Sequence, residues 1–288
     1  MRLIITLVVR DEAEILQANL EYHFAQGVDF AIVTDHGSSD ATPDILGHYE
    51  DRGLVRVLRV EGHQHHQSRR VTRMARLAAI EYGADWVINS DADEFWWPAI
   101  GRLSDVFAAI PEHYGQFEAS RNNFLPGLND SERPFYERLV VRERASRNLV
   151  GAPLEPKVAH RGDPDVVVAP GNHAVSGAAL EPVPRCRLLE VLHFPMRTFA
   201  QFERKVLATG IGYQSLPFRS DEVGRDQLML LELQREGRLR QYFDQHLLSE
   251  EALAAGISSG ELVLDRRLAE FMAKLETRLQ AKGAVAIP

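Results

Sequence analysis

The chain has 288 residues and a formal net charge of −8: long enough for a full hydrophobic core, and of the wrong sign for bulk nucleic-acid binding. Its single cysteine, Cys186, excludes internal disulfides and fits a reducing compartment, so the expected location is cytoplasmic. No stretch approaches the roughly 20 apolar residues of a membrane span, and the short apolar run at the start, followed by Arg10-Asp11-Glu12, reads as a strand rather than a signal peptide.

In chain order, Arg2 to Val9 is an apolar, β-rich run. Arg10-Asp11-Glu12-Ala13-Glu14 starts a helical pattern that runs through Leu16, Leu20 and Phe24 and ends at Gly27. Phe30 to Thr34 is a second strand, and the turn-rich stretch Asp35-His36-Gly37-Ser38-Ser39-Asp40-Ala41-Thr42 carries a helix start at Ser39 or Asp40. The helix through Ile45, Leu46 and Tyr49 precedes a third strand over 54–60. The polar loop that follows carries His63, His65 and His66, which more often face solvent than bind metal. Arg73 to Ala79 reads as a helix and Ala84 to Ile88 as a fourth buried strand. This βαβαβαβ order with short connections predicts an α/β fold with a mostly parallel sheet covered on both faces.

The fourth strand runs into Asn89-Ser90-Asp91-Ala92-Asp93-Glu94-Phe95-Trp96-Trp97. Three carboxylates within four positions repel each other at neutral pH. A hard divalent ion with oxygen ligands offsets that repulsion and also holds diphosphates. Asp91 and Asp93 are two apart and face the same way on an extended segment. They form a D-x-D candidate metal site at the carboxyl end of a strand, where open α/β sheets bind ligands. Adjacent tryptophans cannot both enter one core from a strand, so one is expected in the core and the other, Trp97, at a cleft as an acceptor platform.

These motifs in register resemble those of GT-A-fold glycosyltransferases, close to glycosyltransferase family 2 and an allied domain-of-unknown-function group. The carrying residues are Val8-Val9-Arg10-Asp11-Glu12, then Val33-Thr34-Asp35-His36-Gly37-Ser38-Ser39-Asp40, then Gly83 to Phe95 with its D-A-D-E. The resemblance implies a GT-A-type, Rossmann-like sheet and a nucleotide-diphospho-sugar donor. It also implies that Asp11, Asp35 and His36 line the nucleotide pocket, that Asp91 contacts ribose or metal, and that Asp93 ligates Mn²⁺ or Mg²⁺. His36 stands where the family has an aspartate that reads the donor base, which leaves the base open. Arg73 matches a family arginine that reaches the donor. Glu94 lies beside the metal and could act on the acceptor, and with Asp93 it is the candidate catalytic pair. The family's downstream E-D pair and Q-x-x-R-W element have no clear counterpart.

Further along, Leu103 to Ile110 reads as a helix, Gln116 to Arg121 as a strand, and 122–131 as a polar loop. Strand-like pieces follow at Glu155 to Arg161, Val166 to Val168 and Leu188 to Phe194. His193-Phe194-Pro195-Met196-Arg197, with Lys205 on the helix after it, resembles the element that closes metal-dependent GT-A sites. By that resemblance His193 is the third metal ligand, and Arg197 and Lys205 hold the diphosphate. His173 is the alternative ligand, or lies near the acceptor. Past Ser220 two amphipathic patterns, 226–236 and 266–280, read as helices packed on the catalytic domain. A dimer seam is the minority reading, and the mixed charges on their polar faces argue against membrane contact. The expected organisation is a catalytic domain over 1–215 and a helical extension over 216–288.

The expected function is metal-dependent transfer of a sugar from a nucleotide-diphospho-sugar to an acceptor hydroxyl on a glycan, lipid-linked or small-molecule partner. A nucleotidyltransferase is a rival, yet it usually has a glycine-rich loop after its first strand, and Arg10-Asp11-Glu12 has no glycine. A D-x-D phosphohydrolase carries its motif after the first strand, not the fourth. A non-catalytic nucleotide-sugar-binding module is the third alternative.

Overall fold

The computed structural model describes residues 1–60, 67–128, 132–148, 151–177, 181–214 and 224–281. The histidine loop over 61–66 and the tip of the 122–131 loop therefore lie outside the described residues.

The chain forms two compact units, one of Met1–Arg121 with Leu154–His193, the other of Asn122–Pro153 with Phe194–Pro288. These bounds differ from the expected 1–215 and 216–288: segments 122–153 and 194–215 go with the later helices.

The first unit opens with β1 (Leu3–Val9), α1 (Ala13–Ala25), β2 (Phe30–Asp35), α2 (Thr42–Asp51), β3 (Val55–Arg59), α3 (Gln67–Ile80) and β4 (Trp86–Asp91). Strands β3, β2, β1 and β4 lie side by side and all pair in parallel. Strands β1 and β2 are apolar and buried almost throughout because helices cover both faces of a parallel sheet. Helix α3 turns Val71, Met74, Ala75 and Ala78 onto Ile4, Ile32 and Val87, one apolar stripe on one sheet face. The expected α/β class is what the structure shows.

Beyond β4 the sheet changes character. Next in chain order come β5 (Glu94–Pro98), α4 (Leu103–Ala109), β6 (Tyr114–Asn123), α5 (Phe135–Arg138), β7 (Val141–Glu143) and β8 (Lys157–Arg161). Short strands β9 (Val167–Val168), β10 (Val175–Ser176) and β11 (Glu181–Pro182) precede β12 (Leu189–His193). The full sheet order is β3-β2-β1-β4-β8-β6-β12-β5, with β11 beside β6. Strands β8 and β12 pair antiparallel, with β4 and β6 for β8 and with β5 for β12. Reversal matters for the site: an antiparallel strand starts where its neighbour ends. Gly162, just after β8, allows the chain to pass close to the Ala84 carbonyl, where any Cβ would collide.

The second unit holds α5, β7 and α6 (Phe199–Gln214), α7 (Arg225–Arg235), α8 (Leu239–Gln245), α9 (Glu250–Ser259), β13 (Leu262–Leu264) and α10 (Arg267–Ala281). Phe202, Val206, Leu230, Leu239 and Phe243 form its core, and β13 pairs antiparallel with β7. Asp265 anchors this corner by accepting from Arg142 Nε at 2.7 Å and Arg267 Nη2 at 2.6 Å. Among the described residues no helix is long and apolar enough to cross a membrane.

Two buried histidines tie the first unit's stability to pH. His23 on α1 donates from Nδ1 to the Asn19 carbonyl at 2.8 Å, and its Nε2 accepts from the Trp96 amide at 3.3 Å. Burial lowers its pKa from 6.5 to about 4, and burial does the same to His160 on β8. Below pH 6.5 the unfolded chain takes up protons that the folded chain refuses, so stability falls as pH drops toward 4. Urea unfolding at pH 7.0, 6.0 and 5.0 is expected to show this loss, at up to about 1.4 kcal/mol per pH unit per histidine. His160→Phe is expected to flatten part of the slope.

Candidate functional site

The carboxyl ends of β2, β1 and β4 meet at one sheet edge, where Val9 pairs with Asp35 and Val8 with Asp91. The three sequence motifs at strand ends therefore do come together. Asp11 has φ of 52°, a left-handed conformation that Asp tolerates better than most residues. Its Oδ1 accepts from the Ser39 amide at 2.6 Å and Ser39 Oγ at 3.1 Å, while its own amide donates to Ser38 Oγ at 3.0 Å. Asp35 is buried and accepts from the Ser38 amide at 3.0 Å. Asp11 and Asp35 thus fix the 36–40 turn that carries half-buried His36.

Between β4 and β5 the chain makes a two-residue turn, Ala92-Asp93. Asn19 of α1, fully buried, donates from Nδ2 to the carbonyls of Ala92 at 2.9 Å and Glu94 at 2.8 Å. The backbone on either side of Asp93 is therefore pinned by one amide, and Nδ1 of His23 lies 3.0 Å from the Oδ1 of that amide. The Asp91 amide donates back to Glu94 Oε2 at 3.2 Å, closing the turn.

The three carboxylates of the motif have different partners. Lys157, the first residue of β8, is only 1% exposed. Antiparallel pairing of Ala159 with Ile88 brings it to the end of β4. Its Nζ lies 2.6 Å from Asp91 Oδ2 and 3.0 Å from Glu94 Oε1, the latter an ion pair rather than an aligned hydrogen bond. Arg121 adds a second cation 3.7 Å from Glu94 Oε1. Gln67 Nε2 and Asn172 Nδ2 reach the other oxygen of Asp91 at 3.3 and 3.5 Å. Glu94 is fully buried, and burial lifts its pKa to about 7 against the pull of Lys157. Asp93 instead faces His193: antiparallel β12 sets His193 opposite Glu94, and His193 Nε2 lies 3.7 Å from Asp93 Oδ2.

The remaining expected residues lie as follows. Trp96 is core and Trp97 half-buried, stacked on Tyr22 with ring centroids 5.8 Å apart. His173 places Nδ1 2.8 Å from the Pro156 carbonyl, and burial, with Lys157 and Arg121 nearby, lowers its pKa to about 4. Arg73 is exposed on α3. Arg197 and Lys205 belong to the second unit, where Arg197 is buried with Nη1 donating to the Phe194 carbonyl at 3.2 Å. Sequence reasoning missed Lys157, Arg121 and Asn19. A lysine opening the otherwise buried run Lys157-Val158-Ala159-His160 was the available signal.

Among the described residues no three histidine, cysteine or carboxylate side chains form a complete metal cluster. The pair Asp93–His193 nevertheless fits a shared ion. Metal bonds of about 2.0–2.2 Å allow two ligands of one ion to stand up to about 4.2 Å apart, and 3.7 Å lies within that limit. Such an ion ordinarily takes one or two protein ligands, with phosphates and water filling its remaining positions.

A strand-end acidic site of this kind is one of the places where α/β enzymes bind ligands. The chain belongs to glycosyltransferase family 92, whose sequence profile matches residues 6–173, and it is a glycosyltransferase. The family 2-like resemblance is thereby made specific. No curated protein matches the chain. Among solved structures it is similar to S. aureus TarS 1-349 in complex with UDP, at 12% identity and TM-score 0.41, covering 98% of this chain and 92% of that one. The same protein with UDP-GlcNAc gives 13% identity, TM-score 0.40, and 86% and 82% coverage. Glucosyl-3-phosphoglycerate synthase from Mycobacterium tuberculosis, with Mn²⁺, UDP and glucosyl-3-phosphoglycerate, gives 17%, 0.33, and 56% of each chain. Likeness at this level assigns no residue and no ligand to the chain.

Asn19→Ala is expected to destabilise the first unit by about 2–4 kcal/mol, because two buried carbonyls lose their donor at once. Urea unfolding measures this, and a change below 0.5 kcal/mol, roughly the surface-substitution range, would show that the turn holds without the clamp.

Proposed function

We propose that this glycosyltransferase moves a sugar from a nucleotide-diphospho-sugar to an acceptor hydroxyl, using a GT-A-type site at the ends of β1, β2 and β4. The observation that carries the reading is the facing pair Asp93 and His193, set 3.7 Å apart at the end of β4 in a family 92 chain. These two residues would hold a divalent ion, Mn²⁺ better than Mg²⁺ because an imidazole nitrogen favours the softer metal. Once bound, the ion would withdraw charge from the leaving diphosphate.

The chain's own groups do the rest. Asp11 and Asp35 hold the 36–40 turn and with it His36 against the nucleotide. Asp91, 30% exposed at its side chain, presents a carboxylate oriented by Lys157, Gln67 and Asn172 as an acceptor for donor hydroxyls. Glu94 turns Oε1 to Lys157 and accepts from the Asp91 amide at Oε2, so its part is to set the position of Lys157 and Asp91. Asn19 keeps Asp93 aimed at His193. Trp97 and His173 are the proposed acceptor-side groups, and Arg73 a source of positive charge for the diphosphate.

Without an acceptor, slow Mn²⁺-dependent hydrolysis of at least one nucleotide-diphospho-sugar is expected, giving free sugar and nucleoside diphosphate. Asp93→Ala and His193→Ala are expected to lower that rate by at least about 100-fold, roughly 2.7 kcal/mol of transition-state stabilisation, while leaving the fold intact by circular dichroism. Release of nucleoside monophosphate and sugar phosphate would instead show attack on the pyrophosphate. Binding of nucleotide sugars with no turnover, with or without candidate acceptors, would favour a binding module.

A further inference from the structure

Lys157 is buried at the centre of the acidic turn, and ion holding by Asp93 and His193 gives it no direct task. Burying an ammonium is costly unless it is paired. Here two of the three carboxylates pair with it, Asp91 at 2.6 Å and Glu94 at 3.0 Å, and the third, Asp93, faces His193. Asp91 is held at both oxygens, by Lys157 on Oδ2 and by Gln67 and Asn172 on Oδ1. A carboxylate in a short, charge-assisted bond to an ammonium has its oxygen committed to that donor. The D-x-D pair is therefore split, one aspartate to the lysine and one to the histidine.

We infer that Lys157 is a positioning residue that keeps Asp91 out of the ion's ligand set. Among the described residues the ion is then held by Asp93 and His193, and it stays weakly bound until the donor's diphosphate fills more of its shell. This rests on the metal pair proposed above and extends it to a residue that touches neither ion nor substrate. The arrangement couples metal to donor: the free site holds the ion loosely, and the donor brings it or locks it in.

Titration of the intact protein with Mn²⁺ alone, by calorimetry, tests the inference without reference to turnover. Lys157→Met releases Asp91 as a third ligand, and Mn²⁺ is expected to bind about tenfold more tightly, a change within the ordinary range of site-to-site coupling. Asp91→Asn in that background is expected to cancel the gain. Asp91→Asn alone is expected to leave Mn²⁺ affinity within twofold, roughly 0.4 kcal/mol. Because Lys157→Met leaves Glu94 buried without its cation, Lys157→Met combined with Glu94→Gln replaces the pair by neutral groups. The same Asp91-dependent gain is expected there.

Equal or weaker Mn²⁺ binding in the folded Lys157 variants, with Asp93-dependent binding intact in the unsubstituted chain, overturns the inference and leaves the metal pair standing. A gain that survives Asp91→Asn also overturns it, since charge alone would then explain the effect. If neither Lys157 variant folds, Asp91→Asn decides: a loss of tenfold or more puts Asp91 in the ion's shell. Mn²⁺ binding that ignores both Asp93 and His193, in the presence of inorganic pyrophosphate as well as without it, removes the metal pair and the inference together.

Discussion

Three carboxylates within four residues at the end of a buried strand are a charge problem that the fold has to solve. Two of them cannot disperse into solvent, because Asp93 is 1% exposed and Glu94 not at all. Lys157 answers part of the problem from inside the protein, reaching two of the three carboxylates. Arg121 supports it at Glu94, and His193 meets the third. In a site of low effective dielectric such pairings are stronger than in water and correspondingly costly to leave incomplete. Most of the site geometry follows from which side chain faces which carboxylate.

The sheet topology is what makes these pairings available. A parallel βαβ run alone would place only forward-running strand ends at this edge. The antiparallel insertion of β8 beside β4 delivers the start of a strand there, and with it Lys157. Antiparallel β12 against β5 delivers the end of another, and with it His193. Helix α1 completes the frame from the other side through Asn19, whose amide holds the carbonyls flanking Asp93. Residues distant in sequence therefore converge through two strand reversals and one helix contact.

The parallel half of the fold was legible because its signals are local. Apolar runs in β1 and β2 are nearly continuous, as strands covered on both faces must be, and each is followed by a helix. The D-x-D was legible because charge density at a strand end is itself unusual. Trp96 and Trp97 divided between core and edge as the strand period requires. The pairing of Lys157 was not legible. Within its own segment it reads as a polar residue opening a strand, and its partner Asp91 lies 66 residues away, across a pairing that no local pattern encodes. His193 entered only through a family resemblance, for the same reason. The burial of Glu94 likewise depends on neighbours from β6 and β8, so its sequence position beside Asp93 gave no sign of it.

In the proposed sugar transfer, the donor bond that breaks is the one between the sugar's anomeric carbon and the diphosphate oxygen. Hydrolysis of a nucleotide-diphospho-sugar by this protein in ¹⁸O-labelled water, with the products weighed by mass spectrometry, tests that claim most directly. Sugar transfer predicts ¹⁸O in the released sugar and none in the nucleoside diphosphate. Label in a phosphate group, with unlabelled sugar, would show that water attacks phosphorus and would contradict glycosyl transfer at this site.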